Sequence, residues 1–469
     1  MSPLELDFDA CYRAASARDA RFDGRFYTAV KTTRIYCRPI CPARTPAARN
    51  VRFYRHAASA EAAGFRPCKR CRPELSPGDP GWDARGDLVG RALRLIDDGA
   101  ADEDGVSGLA RRLHITERHL HRLFVAELGA GPLAVARTRR LLLAKQLLTE
   151  TALPVTDVAF AAGFGSVRQF NATMRETYGF PPSELRATAG GPAPATGQGA
   201  PGAASLRLRL HRREPYDVAG VLTFLAARAI PGLETADEHA YSRAVPGGTI
   251  TLTPRPGHLA LDVTVDDTRH LARVVARCRR LMDLDADPDA VRDVLGRTSL
   301  GPLVAARPGL RVPGAFDGFE LAVRAVVGQQ ISVAGARTLL GRLVERAGRD
   351  GRLFPTAAGL LDADLTGLGL TGRRVVTLKE LATRVAGGLI DLDGGQEPAE
   401  AVKALLAVPG IGPWTAGYIA LRALRDPDAW PTGDLVLDRR MAELGIPKDH
   451  LERWRPWRAY AALHLWSHR

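Results

Sequence analysis

The sequence predicts a multidomain, mainly α chain in which two small α+β portions accompany larger helical ones. Three observations carry this. At 469 residues the chain exceeds what one hydrophobic core organises, and typical domain size gives roughly three domains. The stretch ATAGGPAPATGQGAPGAA at 187–204 has no apolar periodicity and reads as a flexible linker. Apolar residues recur at helical spacing over 83–187 and again from about 300, whereas LRLRLHR, TITLTP and HLALDVTV alternate with period two.

Composition narrows the function classes. The hydrophobic fraction of 45% is ordinary, and no apolar run approaches the roughly 20 residues that span a bilayer. The opening MSPLELDFDACYRAA lacks a basic segment followed by an apolar one, so no secretory signal and a cytoplasmic location are expected. Lys and Arg outnumber Asp and Glu by 65 to 52, a net charge of +13, which favours a polyanionic partner.

The first element in chain order is the cysteine region. Six cysteines in a reducing compartment are not a disulfide framework. Cys37-x3-Cys41 and, 26 residues on, Cys68-x2-Cys71 are two short-spaced pairs able to close a tetrahedral zinc site. Cys11 and Cys278 stand apart and are expected to be small core residues. Residues 1–80 hold 15 Lys or Arg against 8 Asp or Glu. Arg34, Arg38, Arg66, Lys69, Arg70 and Arg72 surround the cysteines, a surface suited to phosphate. A purely structural zinc also fits the spacing.

TTRIYCRPICPARTPAARNVRFY and AAGFRPCKRCRPE resemble the zinc domain of Ada-type methyl-phosphotriester repair proteins. The resemblance implies that Cys37 accepts the methyl group while Cys41, Cys68 and Cys71 remain ligands of one zinc ion. Zinc keeps thiolates deprotonated at neutral pH, so no general base is needed. Methylation removes one negative charge from the site, and stronger DNA binding after repair is the expected result.

ELSPGDPGWD at 74–83 breaks this region from the helical middle. There, two helix-turn-helix units read from about Val106 to Leu128 and from about Val155 to Tyr178. PVTDVAFAAGFGSVRQFNATMRETYGFPPSELR resembles AraC-type transcription activators, implying operator DNA and RNA polymerase as partners. Ser166, Arg168, Gln169 and Asn171 on the second recognition helix, and Glu117, Arg118, His121 and Arg122 on the first, are candidate DNA contacts or solvated surface.

In the last region, VKALLAVPGIGPWTAGYIALRAL reads as helix, Gly-rich hairpin, helix. Gly410 and Gly412 permit a tight turn and offer amide N–H groups to a phosphate. With Asp434 in WPTGDLVLDRRM, EPYDVAGVLTFLAARAIPGLE, FELAVRAVVGQQISV and RPWRAYAALHLW, the chain from about 205 resembles AlkA-type 3-methyladenine DNA glycosylases. The resemblance implies Asp434 as the catalytic carboxylate, with Asp438 as runner-up or an ion-pair partner of a neighbouring Arg. It implies Trp414, Tyr418 and Trp466 as an aromatic base pocket favouring a cationic base. Trp414 stands where strand-cleaving relatives carry a Schiff-base lysine, so hydrolysis alone is expected. Gln330 stands where an apolar wedge would fill the gap left by a flipped base. No cysteine lies in a Pro-Cys-His context, so no O6-alkylguanine methyltransferase half is expected.

The expected division is a zinc methyl-acceptor domain at 1–78, an all-α paired helix-turn-helix domain at 83–187, a linker at 188–204, an α+β subdomain at 205–300 and an all-α helix-hairpin-helix glycosylase domain at 301–469. A monomer acting on alkylated and operator duplex DNA is expected. The competing expectation is a transcription regulator with a structural zinc and an inactive, DNA-binding glycosylase unit.

Overall fold

A computed structural model describes residues 6–79, 88–188, 190–193 and 204–468. Most of the expected linker lies outside the described residues. Two compact units emerge, one holding the described residues up to 211 together with 260–276, the other 212–259 and 277–468. No helix among the described residues is long and apolar enough to cross a membrane.

The first unit opens with helix Phe8–Ala17, whose free N–H of Ala10 is capped by the Asp7 carboxylate. A four-stranded sheet follows, of strands β1 (Tyr27–Val30), β2 (Ile35–Cys37), β3 (Val51–Tyr54) and β4 (Arg66–Pro67), in the order β3-β1-β2-β4. β1 runs antiparallel to β2 and β3, with Thr28 opposite Cys37, and β2 pairs β4 in parallel. Tyr27, Ala29 and Tyr36 pack with Phe65 and helix Ala57–Ala62 in one small core.

Every regular element within residues 88–188 is a helix, as expected. Gly105–Arg112 with Glu117–Leu128, and Val155–Ala161 with Val167–Tyr178, form the two helix-turn-helix units. Each recognition helix starts at a hydroxyl cap, Thr116 or Ser166, and stops at a left-handed glycine, Gly129 or Gly179. Between them runs helix Pro132–Glu150, with Val135, Leu141, Ala144, Lys145 and Leu148 buried. A helix buried on several faces loses the one-sided apolar stripe of a surface helix. β5 (Ala204–His211) neighbours β9 (His258–Val265), of which residues from 260 on belong to this unit.

The second unit contains the antiparallel meander β6 (Glu234–Ala236), β7 (Tyr241–Val245) and β8 (Gly248–Arg255), with Tyr241 opposite Leu252. β6 and β7 are absent from the sequence expectation because three- and five-residue strands carry too little alternation to register. The helices of this unit share one large core containing Val326, Leu343, Leu378, Leu405, Ile419 and Trp454. Helices Pro398–Leu406 and Pro413–Arg422 flank the hairpin at 407–412.

Candidate functional sites

The cysteine centre is built by the sheet. β2 ends on Cys37, and its pairing with β4 is continued by the Cys68 N–H, which donates to the Tyr36 carbonyl at 2.9 Å. The sulfur atoms of Cys37, Cys41, Cys68 and Cys71 lie within 4.8 Å of one another. Backbone N–H groups of Arg38 and Arg70 donate to the sulfurs of Cys71 and Cys68, each at 3.3 Å. Amide donors aimed at sulfur stabilise thiolates and fix their orientation, so the set fits zinc. Cys37, Cys68 and Cys71 are buried while Cys41 is partly open.

Arg38 corrects one expectation. It is 7% exposed, its guanidinium donates to both carboxylate oxygens of Asp23 and to the Cys71 carbonyl, and it therefore braces the cysteine loop from inside rather than facing DNA. Arg34, Lys69 and Arg70 are exposed. The Lys69 ammonium sits 4.0 Å over the Phe180 ring, just beyond the second recognition helix.

Two further links tie this centre to helix Pro132–Glu150. Lys145, 1% exposed, donates to the Cys68 carbonyl at 3.1 Å and to Glu74 at 2.7 Å. Glu61 accepts from the Tyr36 hydroxyl at 2.9 Å and from Thr138 at 2.6 Å. Spacing gave no sign of either, because a lysine inside a helical pattern reads as solvated.

On the recognition helices, Arg168, Gln169, Glu117, Arg118, His121 and Arg122 are exposed, and Asn171 is half-buried. Ser166 is exposed too, with its hydroxyl accepting the Gln169 N–H at 3.2 Å as the helix cap. Cys11 and Cys278 are core residues, as expected, and burial pushes their thiols up to about 11 and about 12.

In the second unit Asp434, Trp414, Tyr418, Trp466 and Gln330 all line one cavity of about 1540 Å³. Asp434 caps helix Leu435–Glu443: Oδ1 accepts the N–H groups of Val436 and Leu437, both at 2.9 Å. Oδ2 accepts from Trp414 Nε1 at 2.7 Å. Trp414 and Tyr418, one helical turn apart, stack with centroids 5.3 Å apart and planes 7° from parallel. Trp466 meets Tyr418 edge-on at 6.3 Å.

The same cavity holds residues the motifs missed. Arg228 lies 3.8 Å over the Phe224 ring and Arg422 lies 4.8 Å over it, while Arg422 also donates to the Tyr418 hydroxyl at 2.9 Å. Burial opposes ionisation of Tyr418, but Arg422 and Arg228 outweigh it and hold its pKa below the ordinary value. The signal was only that Phe224 and Arg228 stand four apart in a helix, a spacing equally expected of core.

Gly410 has φ +91°, and a Cβ there would meet Thr377 Oγ1 at 2.2 Å, so the hairpin requires glycine. Thr377 donates to the Pro409 carbonyl at 2.8 Å. A trans peptide holds C=O and N–H on opposite sides, so this bond turns the Gly410 N–H away from the core. Gly412 is the N-cap of helix Pro413–Arg422. Asp438 pairs with Lys448 at 3.2 Å and not, as expected, with a neighbouring arginine.

Three family descriptions match the chain: Metal binding domain of Ada at residues 10–74, Helix-turn-helix domain at 109–188 and AlkA N-terminal domain at 207–317. The chain is 47% identical, over 98% of its own length and 96% of the relative's, to the "Probable bifunctional transcriptional activator/DNA repair enzyme AlkA" of Mycobacterium tuberculosis. It is 36% identical to "DNA-3-methyladenine glycosylase 2" of Escherichia coli, over 55% of this chain and 95% of that one. It is also 36% identical to the "Bifunctional transcriptional activator/DNA repair enzyme Ada" of Escherichia coli, over 39% of this chain and 49% of that one.

Proposed function

Because the chain belongs to the family of bifunctional transcriptional activator/DNA repair enzymes that join Ada and AlkA domains, we propose that it repairs alkylated DNA at two sites and activates transcription in response. The observation that carries the enzymatic half is Asp434, fixed at the wall of a cavity it shares with a Trp414–Tyr418 stack.

At that cavity the substrate is an alkylated purine of 3-methyladenine type, swung out of the duplex. The C1′–N bond breaks with its electron pair leaving on the base, and an N-alkylated base departs neutral, without protonation. The Asp434 carboxylate stabilises the positive charge on the sugar and takes a proton from the attacking water. The N–H groups of Trp414, Val436 and Leu437 hold that carboxylate in one orientation. No lysine nucleophile stands at position 414, so the reaction ends at an abasic site with both strands intact. Gly410 and Gly412 hold a backbone phosphate, and Gln330 fills the space left by the base. Asp434→Asn assayed for base release from methylated duplex DNA tests this: release by the variant at the wild-type rate would exclude Asp434 as the catalytic carboxylate, and no release by the wild type would leave the inactive, DNA-binding alternative.

At the four-cysteine centre, zinc supplies thiolate character at neutral pH when bound. The Cys37 sulfur attacks the methyl carbon of a phosphotriester, an S–C bond forms, and the C–O bond breaks with its electron pair on the phosphate oxygen. Arg34, Lys69 and Arg70 attract the DNA backbone, and the charge removed from the centre strengthens that attraction afterwards. A second assignment has its own support, since Cys41 is the most open of the four. Peptide mapping by mass spectrometry after incubation with methylated DNA discriminates the two.

The recognition helices, through Arg168 and Gln169 above all, are assigned to operator DNA, with RNA polymerase as the protein partner. The chain is assigned to the cytoplasm as a monomer, with domain limits at 1–78, 83–187, 205–300 and 301–469. Light scattering with and without an operator duplex tests the stoichiometry.

A further inference from the structure

The loop between helices Gly318–Val327 and Val333–Ala347 carries two adjacent glutamines that behave differently. Gln330 is exposed and has φ +56°. A non-glycine residue keeps that left-handed conformation only where its neighbours impose it. The imposing contacts belong to Gln329. Its carbonyl accepts from Arg374, and its Nε2 donates at 2.9 Å both to the Gly410 carbonyl and to Thr415 Oγ1. The Gly410 carbonyl cannot donate, so the amide orientation of Gln329 is fixed.

The 410–411 peptide is thereby held at both ends, since the Ile411 N–H donates to the Val408 carbonyl at 3.0 Å. The preceding peptide presents the outward Gly410 N–H. One side chain therefore links the residue that enters the duplex to the turn that grips it, across 81 positions of sequence.

We infer that Gln329 is a positioning residue that couples the hairpin's hold on a DNA phosphate to the insertion of Gln330. The inference rests on the glycosylase reading and on Gln330 as the inserted group. The Gln329 amide N–H groups are committed to the Gly410 carbonyl and Thr415 Oγ1 and not to Asp434, so its effect falls on extrusion of the lesion and not on bond cleavage.

The test is a double-mutant cycle in the full chain with Gln329→Leu, Gln330→Ala and the double variant, each assayed on a fully paired lesion and on the same lesion in a one-nucleotide bulge. Extrusion is costly in the first and cheap in the second, so Gln329→Leu is expected to lower kcat/KM about tenfold on the paired lesion and less than about threefold on the bulge. The double variant is expected to match Gln330→Ala, because residues acting as one device are not additive. Equal losses on both substrates, multiplicative losses in the double variant, or no loss with Gln330→Ala would overturn the inference. Absence of base release by the wild type would instead overturn the glycosylase reading beneath it. Should Gln329→Leu fail to fold, Thr415→Val removes one of its two acceptors without changing volume, and the same paired-against-bulged contrast decides.

Discussion

Trp414 Nε1 donates to Asp434 Oδ2 at 2.7 Å while the other carboxylate oxygen accepts two helix-start amides. An aromatic ring expected only to stack on a base therefore also aims the carboxylate. Trp414→Phe keeps an aromatic ring to stack on Tyr418 but deletes the donor together with part of the ring surface. It is expected to lower kcat by about tenfold to a hundredfold with KM little changed, because misaimed catalytic groups act on the chemical step. A rise in KM at constant kcat would show that Trp414 serves binding alone.

Asp434→Asn should separate chemistry from stability. Asn is as good an N-cap as Asp, so the melting temperature is expected to stay within a few degrees. Base release is expected to fall by about a thousandfold, the loss of the one charge facing the sugar. A parallel loss of Tm and activity would make Asp434 a structural residue.

Lys145 joins the cysteine centre to the helix between the recognition units, and its ammonium and the Glu74 carboxylate are both nearly inaccessible to solvent. Removing one partner of a buried pair costs about 3 kcal/mol or more. Lys145→Met is therefore expected to lower the Tm of the N-terminal unit and to speed zinc loss to a chelator. An unchanged rate of zinc loss would count against the link through the Cys68 carbonyl.

His464 is buried, and that burial, with the nearby Arg307 cation, lowers its pKa from 6.5 to about 4 against a smaller opposing pull from Asp217. Between those values the unfolded chain binds a proton that the folded chain refuses. The associated stability is fully present above pH 6.5 and is lost as pH falls toward 4, about 3 kcal/mol in all. His464→Gln is expected to flatten the fall of Tm across this window. Parallel curves for variant and wild type would exclude His464 as its source.

A methylated four-cysteine centre is expected to bind operator DNA more tightly than the unmethylated one at low salt, with the difference shrinking as salt rises. Equal affinities at matched low salt would refute an electrostatic switch.

By itself the sequence determined the features that depend on neighbours along the chain. Two short cysteine spacings determine a tetrahedral site because ligand loops close locally. Short turns delimit both recognition helices, and Gly410 marks a tight turn, although the contact with Thr377 that bars a side chain there is tertiary. What only the tertiary structure decided are pairings between segments far apart in sequence. Arg38 looked like a surface cation, and Asp23 took it inward. Lys145 acquired its partners 71 and 77 positions away, and Gln329 met Gly410 across 81. Such contacts leave no periodicity or spacing to read, since they arise where packed helices and strands bring unrelated surfaces within hydrogen-bonding distance. Asp434 shows both sources at once: its place after the hairpin is legible in the chain, whereas its orientation by Trp414 is set only when their two helices dock.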